Sequence, residues 1–321
     1  MTLPPASTLL LGLAWFAVIN AAVSALSWAL ASALAASTRR PGLLLTVRLL
    51  PAAASLLFVV TMFVPAHWRF EPGNTGESFG IIFYALAAAG AALLLRSAGR
   101  ALSVARAGRR LQVCDQLQRI GAASAGIYEV RGMSGVSLAG VLRPRVLVGA
   151  SVRCQLTAPE LEVAVAHEMA HRHAYDNVKR SLMFCAPDMF GASRAARGIE
   201  DRWRASAECL ADARAVDGDA RRALDLASAL VKVARLGVAP AGALTSPAWS
   251  TLHEVSPHGS PLLEMRVRRL VVGATPKPSL SVFPQRFFAV AALSAAGLFA
   301  TGAAVAPQLH QFTESLVRLL S

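Results

Sequence analysis

Residues 157–175 read Thr-Ala-Pro-Glu-Leu-Glu-Val-Ala-Val-Ala-His-Glu-Met-Ala-His-Arg-His-Ala-Tyr. Thr157 followed by Pro159 and Glu160 is a capping box, with Thr157 as N-cap and Glu160 at N3, so a helix begins here. Within it, His167-Glu168-Met169-Ala170-His171 is an HExxH motif. Two His four residues apart share one helical face, so both imidazoles can ligate one metal ion. Glu168 follows the first His and is placed to act as a general base on water. With 7 His and 11 Glu in 321 residues, the motif is expected by chance roughly 0.005 times per chain. Leu161 and Val163 to Ala166 mark the helix as buried. Buried His and Glu are costly unless paired or metal-bound.

A catalytic zinc site needs a third protein ligand and an open position. Glu208 is the candidate, in Ala207-Glu208-Cys209-Leu210-Ala211-Asp212 on a second expected helix. Asp212, one turn on, can accept a hydrogen bond from the far nitrogen of a ligating His. Asp176 and Asn177 follow the first helix and are candidates for the same support, or for a simple turn. His173 points off the ligand face. Cys209 reads as a small buried residue. His253 and His258 lie in a Pro/Gly/Ser-rich loop, where a solvated imidazole is the ordinary outcome.

Outside this motif the composition points to a membrane. Hydrophobic residues make up 55% and charged residues 16% of the chain, with mean hydropathy +0.48. Soluble domains carry about 25% charged residues, so an ordinary soluble enzyme and a disordered chain are both disfavoured. Four apolar runs are long enough to be spans, at about 6–36, 43–65, 79–95 and 287–306. The first lacks a basic leader and exceeds a signal-peptide core, so a retained helix is expected. Arg48, inside the second, is expected to snorkel to the near interface. The third and fourth are Ala/Gly-rich, which suits close helix packing in lipid.

Charge sets the expected orientation. The region around the first connection carries +3 and the second connection −1. The long segment 96–286 carries +11 and the tail 0, together the net +13. Positive charge thus alternates with crossings, which places both termini outside and 96–286 in the cytoplasm. The four cysteines, Cys114, Cys154, Cys185 and Cys209, form no CxxC pair and all fall in that segment, where they stay reduced. Much of the basic excess is topological and also suits anionic headgroups. Direct nucleic-acid binding is not expected, since no recognition motif is present.

The chain therefore divides into a membrane region 1–95, a cytoplasmic metallopeptidase domain 96–286, and a fourth span with a short outer tail at 287–321. Residues 96–115 read as a basic amphipathic extension of the third span. Short β-type runs occupy Ile127 to Leu147. Further helices are expected at about Ile199–Val216 and Ala220–Leu236. The expected fold is a mainly α membrane protein of four transmembrane helices, with an α+β zincin domain inserted between the third and fourth.

The run Gly140-Val-Leu-Arg-Pro-Arg-Val-Leu-Val-Gly149, the Thr157 cap, HEMAHRHAYDN and the AECLAD helix together resemble the membrane zinc metallopeptidases of the beta-lactam sensor-transducer (BlaR/MecR) type. The resemblance covers about Leu95 to Leu270, and the order of elements matches. It implies a gluzincin domain with one zinc ion per chain, His167, His171 and Glu208 as ligands, and Glu168 as catalytic base. It also implies an edge strand near 143–149, with Arg145, Val146, Leu147 and Val148 receiving the substrate as an added strand. The implied activity is that of a zinc endopeptidase in signal-regulated proteolysis. Its substrate would be a protein or peptide, a cytoplasmic transcriptional repressor or the chain itself, and a homodimer is compatible. Best-known members carry an outer penicillin-binding domain after the fourth helix. Only about 15 residues follow Ala306 here, so direct beta-lactam sensing by acylation is not expected. A quality-control protease of the HtpX or CAAX-processing type, and a catalytically silent receptor or adaptor, are the competing readings.

Overall fold

The computed structural model describes residues 6–34, 41–70, 79–112, 117–119, 126–236, 250–251, 261–273, 297 and 305–315. Three apolar helices begin the chain. They are α1 (Ala6–Leu34), α2 (Pro41–Phe58), continued through a π turn at Val59–Phe63 into α3 (Val64–Phe70), and α4 (Ile81–Gln112). Each is long and apolar enough to cross a membrane. The second is helical from Pro41 to Phe70, beyond its expected ends, and the third runs unbroken into its basic extension. The expected fourth span at 287–306 lies outside the described residues, apart from helical positions at its end. Residues 305–315 are helical. Phe312 packs on Trp15 and His310 on Phe70, at ring-centroid distances of 6.0 and 5.5 Å.

Gly90 shows why small residues populate α4. A Cβ there would lie 2.3 Å from the Leu13 carbonyl oxygen of α1, so only glycine lets the two backbones meet. Pro51, inside α2, leaves helical backbone without a donor. Ser55 donates to the Pro51 carbonyl at 2.7 Å and receives the Asn20 amide of α1 at 3.2 Å.

Beyond α4 comes a small sheet and a helical layer. The strands are β1 (Leu117–Arg119), β2 (Ile127–Val130), β3 (Val136–Ala139), β4 (Arg145–Gly149) and β5 (Ser250–Thr251), in the order β1-β2-β4-β3-β5. β4 runs parallel to β2 and antiparallel to β3. Period-two alternation divides its side chains between two cores. Val146 and Val148 join Val136 and Leu138 against the helices, while Leu147 faces the other side near Val104 of α4. The expectation that 143–149 is an edge strand is therefore corrected. Arg145, Val146, Leu147 and Val148 lie on an interior strand, whose backbone is paired on both sides and cannot receive an added strand. Among the described residues the edges are β1 and β5.

The helical layer comprises α5 (Ala150–Gln155), α6 (Ala158–His173), α7 (Asp176–Cys185), α8 (Arg194–Val216), α9 (Ala220–Arg235) and α10 (Pro261–Val272). The capping box forms as expected. The Glu160 amide donates to the Thr157 hydroxyl, and the Thr157 amide donates to the Glu160 carboxylate. Leu226, Leu230 and Val233 of α9 complete the core over α6 and the sheet, together with Leu270 of α10. Each such buried side chain contributes about 1.5–3 kcal/mol relative to exposure.

The apolar bundle is docked on this layer rather than tethered to it. Leu44, Leu45 and Val47 of α2 pack on Ile199, Trp203 and Ala207 of α8. The turn after α7 enters the mouth of the bundle. Asn20 and Ser24 of α1 bind it through the Pro187 carbonyl and the Asp188 carboxylate. Arg96 and Arg100 of α4 donate to the carbonyls of Asp188 and Phe184. Arg48 does not snorkel. It is buried at the junction, with Glu200 at 2.6 Å, Asp188 at 2.9 Å and the Met183 carbonyl at 3.2 Å. A buried guanidinium loses several kcal/mol of hydration, and two carboxylates and a carbonyl offset that here.

Candidate metal centre

The site is built where α6 crosses α8. HExxH spacing puts His167, Glu168 and His171 into this crossing, and all three are fully buried. α8 supplies Glu208 and, one turn later, Asp212, also buried. The chain then reverses after α6. Tyr175 adopts a left-handed conformation, φ 57°, which starts α7 and turns Asp176 back under His171.

The donor spacing identifies what the crossing can hold. The Nε2 atoms of His167 and His171 are 3.2 Å apart. Each lies 3.4 Å from a different oxygen of Glu208. A tetrahedral ion bound about 2.0–2.1 Å from each donor sets its donors about 3.3 Å apart. The three side chains thus form a group able to hold a metal ion.

The far nitrogens each face a carboxylate. His167 Nδ1 lies 3.0 Å from Asp212 and His171 Nδ1 2.7 Å from Asp176. An ionised carboxylate only accepts, so each Nδ1 is placed to donate to its carboxylate, which turns each Nε2 inward. The two Nε2 atoms and the Glu208 carboxylate converge on one point, where Arg266 Nη2 of α10 also lies 3.4 Å from His167 Nε2. Both carboxylates thereby orient the ligands.

The field agrees. Burial alone would lower the His171 pKa, but Glu208 and Asp176 outweigh it and push it up to about 10. His167 is raised in the same way by Asp212 and Glu208 against its burial. Burial pushes the Glu208 carboxyl upward, yet Arg266 and the imidazoles hold it well below the usual carboxylate range. Asp212, likewise opposed by burial, is held at about 2 by Arg266 and His167.

Arg266 of α10 was not among the residues singled out from the sequence. It lies 2.9 Å from Glu208 and grips both oxygens of Asp212, at 2.6 and 2.8 Å. Its signal is positional. Leu263, Val267 and Leu270 are the apolar face of α10, and Arg266 interrupts that face at helical spacing. Arg180 of α7 adds a second contact to Glu208 at 3.3 Å.

The other expected residues are placed as follows. Asn177 donates to the Leu138 and Gly140 carbonyls and ties α7 to the end of β3. His173 is exposed, off the ligand face. Cys209 is half-buried, with Arg269 at 3.0 Å. Cys154, Cys185 and Cys209 carry no disulfide, and Cys114, His253 and His258 lie outside the described residues. Comparison with protein-family models, with curated proteins and with solved structures gives no match for this chain.

Proposed function

We propose that this protein is an integral-membrane zinc endopeptidase whose active centre is the crossing of α6 and α8. One observation carries the reading: His167, His171 and Glu208 gather their donors into one buried group able to hold a metal ion, with Glu168 buried on the same helix. The donor set of two imidazoles and one carboxylate, with a fourth position left to substrate, is the pattern of catalytic zinc. A zinc ion held there would polarise a peptide carbonyl and acidify water. Glu168 takes the proton of the attacking water and passes it to the departing amine. Asp212 and Asp176 keep both imidazoles aimed, and Arg266 holds Glu208 and Asp212 in register.

The charge pattern supports a cytoplasmic active centre with both termini outside. The docking of α2 on α8 supports regulated cleavage. The helix that carries Glu208 also bears the bundle, so a change in the bundle reaches a ligand. The substrate is then a cytoplasmic protein, a transcriptional repressor or this chain itself, cut in response to an envelope signal. The resemblance to the beta-lactam sensor-transducer peptidases rests on the run 140–149, the Thr157 cap, the HEMAHRHAYDN stretch and the AECLAD helix.

The test uses the full chain purified in detergent. One zinc per chain, lost in His167→Ala but kept in Glu168→Gln, with peptide cleavage lost in both, is the expected result. A metal-free wild type, or cleavage that survives Glu168→Gln, would overturn the reading.

A further inference from the structure

A cleft of about 830 Å³ opens beside the metal centre, between the β3–β4 turn and the corner joining α6 to α7. That is within the size range of specific ligand pockets, about 300–1,000 Å³. Its inner end reaches His171, and Leu138, Val141 and Met169 give it apolar walls. Three guanidinium groups line it, from Arg143 on the turn, Arg145 at the start of β4 and Arg172 on α6. None of the three has an ion-pair partner among the described residues, whereas Arg48, Arg153, Arg222 and Arg266 all do. Arg145 is steadied over the Tyr128 ring at 5.2 Å, which holds its fork without neutralising it. Arg172 extends across Gly126, its Nη1 passing 3.9 Å from where a side chain there would begin. The one carboxylate in the lining, Asp176, is already engaged by His171 and Lys179. Like charges collected in a concave, partly apolar site focus a positive field into it.

We infer that this cleft is the specificity site of the proposed peptidase and takes a peptide segment with acidic side chains next to the scissile bond. The inference rests on the peptidase reading for what happens to the bound peptide, not for its binding. Arginine forks match carboxylates bidentately, and the Tyr128 ring beneath Arg145 limits the freedom of one of them. Leu142 is 89% exposed and sits in the same lining, which offers apolar contact to residues flanking the acidic ones. A lipid surface fits less well, because the guanidinium groups line a recess that ends at a ligand helix rather than a flat face.

The test measures peptide binding to the zinc-loaded full-length Glu168→Gln protein by calorimetry, in uncharged detergent and low salt. The probes are three octapeptides with Asp-Leu-Asp, Asn-Leu-Asn or Lys-Leu-Lys centres. The acidic peptide is expected to bind at least about tenfold more tightly than the neutral one, with the gap closing as salt rises. Arg145→Gln and Arg172→Gln, each added to Glu168→Gln, should each cost the acidic peptide about tenfold and leave the neutral peptide unchanged. Zinc content and thermal unfolding of each variant check that the fold persists. Equal affinity for acidic and neutral peptides would overturn the inference, even where the wild type cleaves one of them. Acidic selectivity without cleavage by the wild type would uphold the cleft and sink the peptidase reading. Loss of acidic-peptide binding in phosphatidylglycerol nanodiscs, but not in phosphatidylcholine nanodiscs, would assign the cleft to lipid headgroups and also overturn it.

Discussion

Arg48 and Asp188, 140 positions apart in the chain, meet at 2.9 Å with side chains only 3% and 8% exposed. One comes from an apolar helix and the other from the turn after α7. Their pairing converts a charge stranded in an apolar run into the keystone of an interface. Arg48→Ala would take from Asp188 and Glu200 the guanidinium that both of them bind. Breaking one partner of a buried pair costs about 3–5 kcal/mol. Thermal unfolding in detergent should therefore show a large loss for Arg48→Ala. Combining it with Asp188→Ala should cost clearly less than the two single losses added. Strict additivity would mean the pair is not coupled.

Asp176 and Asp212 each face the far nitrogen of one imidazole of the candidate metal centre. Asp176→Asn keeps the shape but can turn a donor towards His171, so the preferred tautomer is lost. Zinc affinity, measured by competition with a chromophoric chelator, should fall about 10–100-fold for Asp176→Asn and for Asp212→Asn. Unchanged affinity in either variant would remove that carboxylate from the orienting role.

Arg266 stands between Glu208 and Asp212 as their common counterion. Arg266→Met should destabilise the domain by about 3–5 kcal/mol, since two buried carboxylates lose their partner. Arg266→Lys should rescue little of this, because an ammonium cannot span both oxygens of Asp212 and Glu208 together. Bound zinc should recover part of the loss by supplying positive charge at the same place. Metal-dependent melting curves of the two variants read this directly.

Glu160 gives a pH dependence away from the metal. Burial pushes its carboxyl up, but Lys232, Ser228 and the Thr157 amide win and hold it near 2 instead of 4.5. A depressed carboxylate stabilises the fold above its unfolded pKa, and that contribution fades as pH falls towards the folded one. Wild type should exceed Glu160→Gln by about 1 kcal/mol above pH 5. The gap should close between about pH 4.5 and about pH 2. A difference that persists at the acid end would mean Glu160 acts through shape alone.

Local signals carried far along this chain. The capping box at Thr157, the four-residue His spacing and the one-turn separation of Glu208 and Asp212 each work within a turn or two of helix. Those elements were legible for that reason. Contacts set by distant chain were not. Nothing near Arg48 announces Asp188 or Glu200, so snorkelling was the natural reading of a lone charge in an apolar run. β4 is a different lesson. Val146-Leu147-Val148 is an unbroken apolar run, which marks a strand covered on both faces. Read that way, it argues for an interior strand, and the expected edge was misplaced. Arg266 was visible only as a charge on the apolar face of its helix. The acids that explain it lie 54 and 58 positions away.

Helix α8 carries Glu200 and Trp203 at the bundle and Glu208 at the metal centre, and eight helical residues span only about 12 Å. A helix is stiff over that distance. In a bilayer, tilt is one way a span matches the local hydrocarbon thickness, and α2 meets α8 through Leu44, Leu45 and Val47. Lipid thickness and the candidate centre are thus joined by a single rigid helix. A soluble fragment cut free of the three helices would lose the packing of α2 on the helix that carries Glu208.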